Sequence, residues 1–536
     1  MEKKKRNILV IIVLLIGVVV IIGVSYALWS LNLTQTGKND IASSCFNITF
    51  TDKNNISLQK VYPILDEDGK KLTPYEFTIT NTCDSYASFN VNLEVLNTTT
   101  LTNDDAVKVM ISSKTGATET EINTNLLSSY KTTTKTLNNA KTAFNLTTGY
   151  LNAKESKTYT LRLWLDENVD MNTKGVQNTK FSSKVVVTAS YVEEIPKSAS
   201  ETIASLVSGA DTSSTDVYTV PNKTSDSCTY TLAYDGTSDN NLRYVGANPC
   251  NYVKIDNEYW RIIGVMNNID DGTGKKETIV KLIRNESIGD YSWDSSESSV
   301  NDGWGVNEWS QADLMKLLNP GYESESVGGS LYYNNSSGNC YSYMENKTKA
   351  CDFTSSGLKT NLKNLVGNTL WHTGSNDGVT YTEDNIVTSK FYELERSSNN
   401  GKICKLDDYC NDTVTRTTTW TGKVGLMYPS DYGYATGGGS TSNRTSCLAI
   451  ELYNWGDAGD CKNNDWLYNS NAWQQTISPS AHSWYASYVF GVDANGAVED
   501  GSAYPYCFIR PSVYLKSNVL ILSGEGTLEN PYEIAD

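Results

Sequence analysis

Residues 87–96 read ASFNVNLEVL, and residues 157–166 read KTYTLRLWLD. In both stretches apolar side chains alternate with polar ones, so the apolar set lies on one face of an extended chain. These apolar residues are Phe89, Val91, Leu93 and Val95 in the first stretch and Tyr159, Leu161, Leu163 and Leu165 in the second. Each stretch therefore predicts a half-buried antiparallel strand. Two sheets of such strands bury their apolar faces by packing as a sandwich.

Turn chemistry between these strands is expected to set their pairing. In LDEDGK, Asp68 and Gly69 can supply the positive φ angles of a tight hairpin. The sequence therefore predicts a hairpin at this point.

The start of the chain has the pattern of an export signal, and the sequence allows either its cleavage or its retention as a membrane anchor. Basic MEKKKR is followed by the apolar residues 8–24, long enough to cross a bilayer as a helix. Ser25 and Ala27 are small where a signal peptidase reads them, and cleavage would make Leu28 the first mature residue. The residues after Trp29 alternate as in a β-strand, which favours cleavage over a permanent membrane anchor. In both cases the rest of the chain is exported, and an uncleaved N-terminus stays cytoplasmic.

Composition supports an extracellular protein. The 536 residues carry 44 Lys and Arg against 61 Asp and Glu, a formal net charge of −17 that repels phosphate backbones and argues against nucleic-acid binding. Heavy use of Asn, Thr, Ser and Tyr is typical of solvent-exposed β structure. The length predicts two to four domains.

The eleven cysteines predict disulfides rather than metal sites, because no pair has zinc-knuckle spacing and the chain has two histidines. Pairing of nearest neighbours is a guess, since connectivity does not follow from sequence. The candidate pairs are Cys45–Cys83, Cys228–Cys250, Cys340–Cys351, Cys404–Cys410 and Cys447–Cys461. Cys507, in an apolar run, is expected to be a buried free thiol.

The second half of the chain has a different pattern. Residues 196–227 predict a linker with a short helix at 200–207, and a second domain spans 228–536. That domain opens with a hairpin, continues with helices at SQADLMKLL (Ser310 as N-cap) and LKTNLKNLV, and closes with strands joined by a turn at 493–496.

Two resemblances add to this pattern. GVSYALW, CFNITFTD, PYEFTITNTC and KTYTLRLWLDEN resemble the camelysin and TasA-type exported proteins of bacterial biofilm matrices. This likeness implies a jelly-roll-like sandwich over residues 30–195, and some members of that group build fibres by lending an N-terminal strand to a neighbour. The cysteines and the large second domain depart from that family.

The second domain resembles an uncharacterised bacterial surface domain with the C-type-lectin-like fold of formylglycine-generating enzymes. The segments that carry the likeness are WRIIGV, ADLMKLLNP, WTGKVGLMYPSDYGYAT, NDWLYNSNAWQQTISPS and IRPSVYLKSNVLILSGEGTLENPYEI. It implies a mainly β, α+β domain. Those enzymes use a cysteine pair, and Cys507 has no second member, so their activity is not implied.

Catalytic and metal motifs are missing from the sequence. It has no G-x-S-x-G elbow, H-E-x-x-H helix or phosphate loop, and His372 and His482 have no evident partners. DENVDMN resembles the start of a calcium loop, but Met171 and Gln177 stand where that loop needs glycine and glutamate. No catalytic residue, metal or cofactor is therefore predicted.

Aromatic density in the second domain suggests sugar binding, because flat rings stack on sugar rings while neighbouring amides bond the hydroxyls. For any one tryptophan a core role is favoured, above all for Trp260 and Trp420. The candidates for ligand contact are Trp304, Trp309, Trp455, Trp466, Trp473 and Trp484. The sequence thus predicts a cell-surface or matrix protein that binds a glycan or a surface protein. A self-associating fibre subunit is the alternative, and an enzyme ranks third.

Overall fold

The computed structural model describes residues 30–34, 46–50, 56–59, 62–169, 176, 179–295, 305–343, 346–375, 385–398, 414–480 and 487–535. The chain is mainly β and divides into two compact units between Ile195 and Pro196.

The first unit is built from antiparallel strands and one short helix. Its strands are β1 Ser30–Thr34, β2 Phe46–Phe50, β3 Ile56–Gln59, β4 Tyr75–Asn81, β5 Tyr86–Leu96, β6 Val107–Thr115, β7 Thr118–Leu126, β8 Thr132–Thr133, β9 Ala140–Leu151, β10 Ser156–Leu165 and β11 Lys180–Val192. Its helical turns are α1 Asp66–Gly69 and the 3₁₀ turns Asp104–Ala106 and Leu127–Ser129.

Among the described residues these strands form two sheets. One has the order β1-β11-β5-β9-β8 with β3 also beside β11, and the other has the order β2-β4-β10-β6-β7. Their apolar faces share one core, and the alternating apolar residues of β5 and β10 are all buried in it. Phe77 and Tyr159 stack at 5.7 Å between ring centroids, with Phe89 edge-on to Tyr159 at 6.0 Å. The predicted β-sandwich is confirmed at this level.

The predicted hairpin at Asp68 and Gly69 is wrong. These residues close the single helical turn α1, where Gly69 lies against the Trp164 indole and a Cβ would come within 2.4 Å of the ring. Glycine is needed here for close approach rather than for positive φ.

The second unit holds the remaining strands. They are β12 Tyr218–Thr219, β13 Thr231–Tyr234, β14 Leu242–Tyr244, β15 Tyr252–Ile255, β16 Glu258–Asp270, β17 Lys276–Arg284, β18 Asp290–Ser292, β19 Ser337–Tyr343, β20 Lys347–Asp352, β21 Thr369–His372, β22 Thr419–Gly422, β23 Val424–Gly425, β24 Gln474–Pro479, β25 Tyr488–Val492, β26 Val498–Ser502, β27 Tyr506–Phe508, β28 Ser512–Tyr514, β29 Leu520–Ser523 and β30 Glu533–Ala535.

Short helices lie between these strands. They are α2 Ala199–Ser205, α3 Asp313–Leu318, α4 Thr360–Leu365, α5 Thr388–Glu395, α6 Pro429–Tyr434, α7 Arg444–Leu448 and α8 Gly459–Lys462, with 3₁₀ turns at Trp309–Gln311 and Leu452–Gly456.

Two larger sheets organise the described part of the second unit. The first has the order β12-β13-β14-β16-β17-β28-β23 with β15 beside β16, and the second has the order β18-β27-β24-β25-β26. The predicted opening hairpin is β16 and β17, and the predicted closing turn joins β25 to β26 with Gly496 at φ 91°. Both predictions are confirmed.

The predicted helices are present but begin later than expected. The leucines of α3 and α4 are buried as predicted. Ser310, predicted as N-cap, lies instead in the 3₁₀ turn Trp309–Gln311, and Ala312 precedes α3. The Glu308 carboxylate accepts both the Ser310 N–H and its hydroxyl, which holds the extra turn.

Residues 196–227, predicted as a linker, are packed into the second unit. Ala199, Ile203 and Val207 belong to its core, as does Val220. Ser198 caps α2 through a capping box with Glu201. The Ala199 N–H donates to the Val519 carbonyl at 2.7 Å, and Ser198 forms a β-bridge with Leu520, which in turn pairs with Ala535. Burial of one apolar face of α2 explains why this stretch does not behave as a free connector.

Three predicted disulfides are present: Cys228–Cys250, Cys340–Cys351 and Cys447–Cys461. Cys83 is also disulfide-bonded, while its predicted partner Cys45 and the pair Cys404 and Cys410 lie outside the described residues. Cys507 is free and half-buried, and burial raises the pKa of its thiol to about 12. The three bonds fit an extracellular or secreted protein.

In the described part of the chain no helix is long and apolar enough to cross a membrane. The apolar segment 8–24 and the predicted cleavage residues Ser25 and Ala27 lie outside that part.

Candidate functional site

The tryptophans proposed as ligand contacts lie in different environments. Trp309 and Trp455 are 1% and 0% exposed, so neither ring can stack on a ligand and both predictions are wrong. Trp466 is 6% exposed, its indole N–H donates to the Tyr244 carbonyl, and the Arg261 guanidinium lies 4.7 Å from its ring centroid. These rings fill the loop-rich core.

Trp304 and Trp484 lie outside the described residues. Trp260 is buried, as predicted, and Trp420 is half-buried with its ring edge-on to Trp309 at 5.9 Å. Trp473 is thus the candidate among the described residues that is half-buried rather than buried.

Trp473 lies across two glycines on adjacent strands. A Cβ on Gly491 of β25 would come within 1.9 Å of the indole nitrogen, and a Cβ on Gly501 of β26 would lie 3.4 Å from its benzene ring. The indole therefore spans both strands in a place that only missing side chains leave open. We call Trp473, Gly491 and Gly501 the Trp473 platform.

The hairpin that carries the platform is anchored by its other face. Phe490, Val492 and Val498 are buried in the core of the second unit, and Phe490 meets Phe391 edge-on at 5.0 Å. A fixed backbone beneath the ring keeps the indole in one orientation, which lowers the entropy lost on binding.

Polar groups lie beside the platform. Residues 469–471 (NSN) lead into Trp473 and are partly or fully exposed, and Glu499 pairs in register with Gly491. The surface therefore carries a ring face, amides and a carboxylate.

A second feature is a buried ion network around Asp431. Its carboxylate receives the Lys281 ammonium at 2.5 Å and the Arg243 guanidinium at 2.5 Å, and Arg243 also pairs with Asp235 at 3.1 Å. All four side chains are at most 2% exposed. Burial acts to raise the pKa of Asp431, but the two cations hold it at about 2.

Arg396 lies next to this network, because it and Lys281 both contact the Tyr428 ring, at 5.4 and 4.1 Å from the ring centroid. This guanidinium is 18% exposed, stacks 3.4 Å from the Tyr392 ring centroid and contacts the Glu395 carboxylate at 3.0 Å. Burial raises the pKa of Glu395 to about 7, against the opposing effect of Arg396. Burial and Arg396 also lower the pKa of His372 to about 4, so this histidine is neutral at pH 7.

A third feature is an acidic cleft of about 280 Å³ at the start of α3. Asp294 and Asp313 face each other there; the Val306 N–H donates to Asp294 at 2.5 Å and the Ser295 N–H to Asp313 at 2.9 Å. Burial and the Asp294 charge raise the pKa of Asp313 to about 7. One proton held between two carboxyls explains how this pair is tolerated.

Sequence reasoning missed both of these features. Lys281 lies within the apolar strand sequence TIVKLIR, and a charged residue in a buried strand indicates that an oppositely charged partner lies beside it in the fold. The sequence does not identify the carboxylate that pairs with Lys281, because Asp431 lies 150 residues away.

In the described part of the chain no group of three or more His, Cys, Asp or Glu residues could hold a metal ion. His482 lies outside it.

Comparisons with known proteins give little. No protein-family profile matches the chain, and no curated protein matches it. A structure of infectious bursal disease virus Gx strain is similar over 31% of this chain and 32% of its own, with 8% identity and a TM-score of 0.14. The chain thus spans about a third of that protein, and a likeness of this size carries no argument.

Proposed function

We propose that this chain is an exported bacterial surface or matrix protein whose second unit binds a glycan on the Trp473 platform. The observation that carries the proposal is the half-buried indole that packs on Gly491 and Gly501. Sugar C–H groups pack against such a face, while the neighbouring amides and carboxylate can bond hydroxyls. The three disulfides and the resemblance to camelysin and TasA-type proteins support an extracellular setting.

A glycan array with the full exported chain, followed by calorimetry on the best ligand, tests this proposal. Trp473→Ala should weaken binding by about tenfold or more, equivalent to about 1.4 kcal/mol. Gly491→Val should weaken binding comparably, because the valine side chain would push the indole off the strand although residue 473 is still a tryptophan.

Tyr453→Ala is the matched control, since Tyr453 is a 37% exposed aromatic residue of the same unit and should leave binding unchanged. Unchanged binding by the Trp473→Ala protein, or an array on which the intact chain binds nothing, would refute the glycan proposal.

A second candidate function is a fibre subunit, and the observation that favours it is β1. This strand follows the predicted cleavage point by two residues and, among the described strands, pairs only with β11 at the edge of its sheet, with Asn32 opposite Thr188. A terminal edge strand is the element that one copy can lend to another.

The pair Asn32→Cys and Thr188→Cys separates the two arrangements. Strand donation predicts oligomers linked by this disulfide, whereas a strand kept within its own chain gives a cross-linked monomer. If the cross-linked product is monomer alone, the fibre arrangement is ruled out.

A further inference from the structure

We propose that the second unit forms an intramolecular amide bond between the Lys281 side chain on β17 and the Asp431 side chain on α6. The two side chains are in contact, fully buried, and surrounded by groups that suit the reaction. It is independent of what the protein binds.

The two reacting groups are already in contact. The Lys281 Nζ lies 2.5 Å from the Asp431 Oδ2, and the side chains are 0% and 2% exposed. The ammonium is enclosed by the rings of Tyr428, Trp371 and Tyr514, whose centroids lie 4.1, 5.1 and 5.2 Å from Nζ. Proximity of this kind replaces an encounter in solution with a unimolecular step.

Burial favours the product. An ion pair away from water carries the desolvation cost of two charges, which a neutral amide does not. Burial also lowers the pKa of Lys281 to about 8, so a larger fraction of this amine is uncharged and nucleophilic than for an exposed lysine.

The reaction balances without a further reagent. The Lys281 Nζ attacks the Asp431 Cγ and forms a C–N bond. Two protons of the ammonium pass to Oδ2, which leaves as water, and the third stays on the amide nitrogen. Oδ1 becomes the amide oxygen.

Neighbouring groups suit this sequence of events. The Arg243 Nη1 lies 2.5 Å from Oδ1, where negative charge develops during attack, and so can stabilise the tetrahedral intermediate. The carboxyl of Glu395 accepts the N–H and hydroxyl of Ser430, the residue before Asp431. These two bonds fix the residue next to Asp431 at the start of α6.

Intact-mass measurement of the full exported chain, reduced and denatured, tests the proposal directly. We expect a species lighter than the sequence mass by one water molecule. Tandem mass spectrometry should place the link between the peptides that contain Lys281 and Asp431, which distinguishes it from dehydration of a single aspartate. A chain that shows only the full sequence mass, or whose water loss maps elsewhere, overturns the proposal.

Variants add a second check that uses the same readout. Lys281→Arg keeps the positive charge but cannot form this amide, so its mass should equal the sequence value. Lys108→Arg is the matched control, because Lys108 contacts Asp66 and Asp166 at 2.8 Å but is 17% exposed. It should keep the water loss, and persistence of the loss in Lys281→Arg would overturn the assignment.

Discussion

The two units stabilise their interiors differently. In the first unit, alternating strands bury an apolar core, and the Arg162–Glu119 pair lies at the rim with side chains 10% and 25% exposed. In the second unit, Arg243, Lys281 and two aspartates lie inside the core itself. Alternation of apolar and polar residues along each strand is enough to bury the core of the first unit. The charged residues in the core of the second unit need partners that lie far away in the sequence.

Replacing one member of the buried network should give the largest effect. Arg243→Met leaves Asp235 without its cation and Asp431 with Lys281 alone. Breaking a buried pair costs about 3–5 kcal/mol, so denaturant should unfold the second unit much earlier. The matched change Arg162→Met removes a rim pair and should cost about 1 kcal/mol or less. Equal losses for the two variants, measured by urea unfolding, would remove the contrast.

Creating a cavity in the first unit tests how much its apolar core contributes to stability. Leu93→Ala removes a fully buried side chain and should lower the unfolding free energy by about 2–5 kcal/mol. Hydrogen exchange should show that the loss is confined to the first unit. Leu65→Ala, at a 57% exposed position, serves as control and should change little. Faster exchange across both units would mean that they unfold together.

The acidic cleft predicts a pH dependence located in the second unit. The pKa of Asp313 is raised in the folded state, so its protonated form is favoured by folding, and stability is lost as pH rises from about 4 to about 7 and then levels off. From pH 5 to pH 8 this group should cost on the order of 2 kcal/mol. Groups facing it include Asp294, Glu308 and Lys316.

Asp313→Asn should flatten that part of the stability profile, measured by thermal unfolding at a series of pH values. A profile unchanged by the substitution would show that the carboxyl pair does not share a proton.

The smallest effect is expected at the boundary. Ser198→Ala removes the capping box of α2 and should cost about 1 kcal/mol, loosening residues 196–207 while leaving the first unit intact. Limited proteolysis measures this directly. Cleavage of the wild-type chain within 196–227 as readily as in the variant would restore the linker prediction.

Much of the first unit was predictable, because alternation in β5 and β10 depends only on neighbouring residues. Gly69 shows the limit, since the Trp164 ring that requires it comes from a distant strand. Of the candidate site, Trp473 was named but could not be separated from Trp309 and Trp455, because exposure depends on what packs above each ring. The same limit hid the contact between Lys281 and Asp431.

The bridge from Ser198 to Leu520, together with the pairing of Leu520 with Ala535, brings Ser198 and Ala535 of the second unit close together. Neighbouring strands lie about 4.8 Å apart, so Ala535 ends roughly 10 Å from Ser198. Two segments held this close can be joined by a short loop, so new chain ends can be opened in an exposed loop of the unit without stretching the backbone.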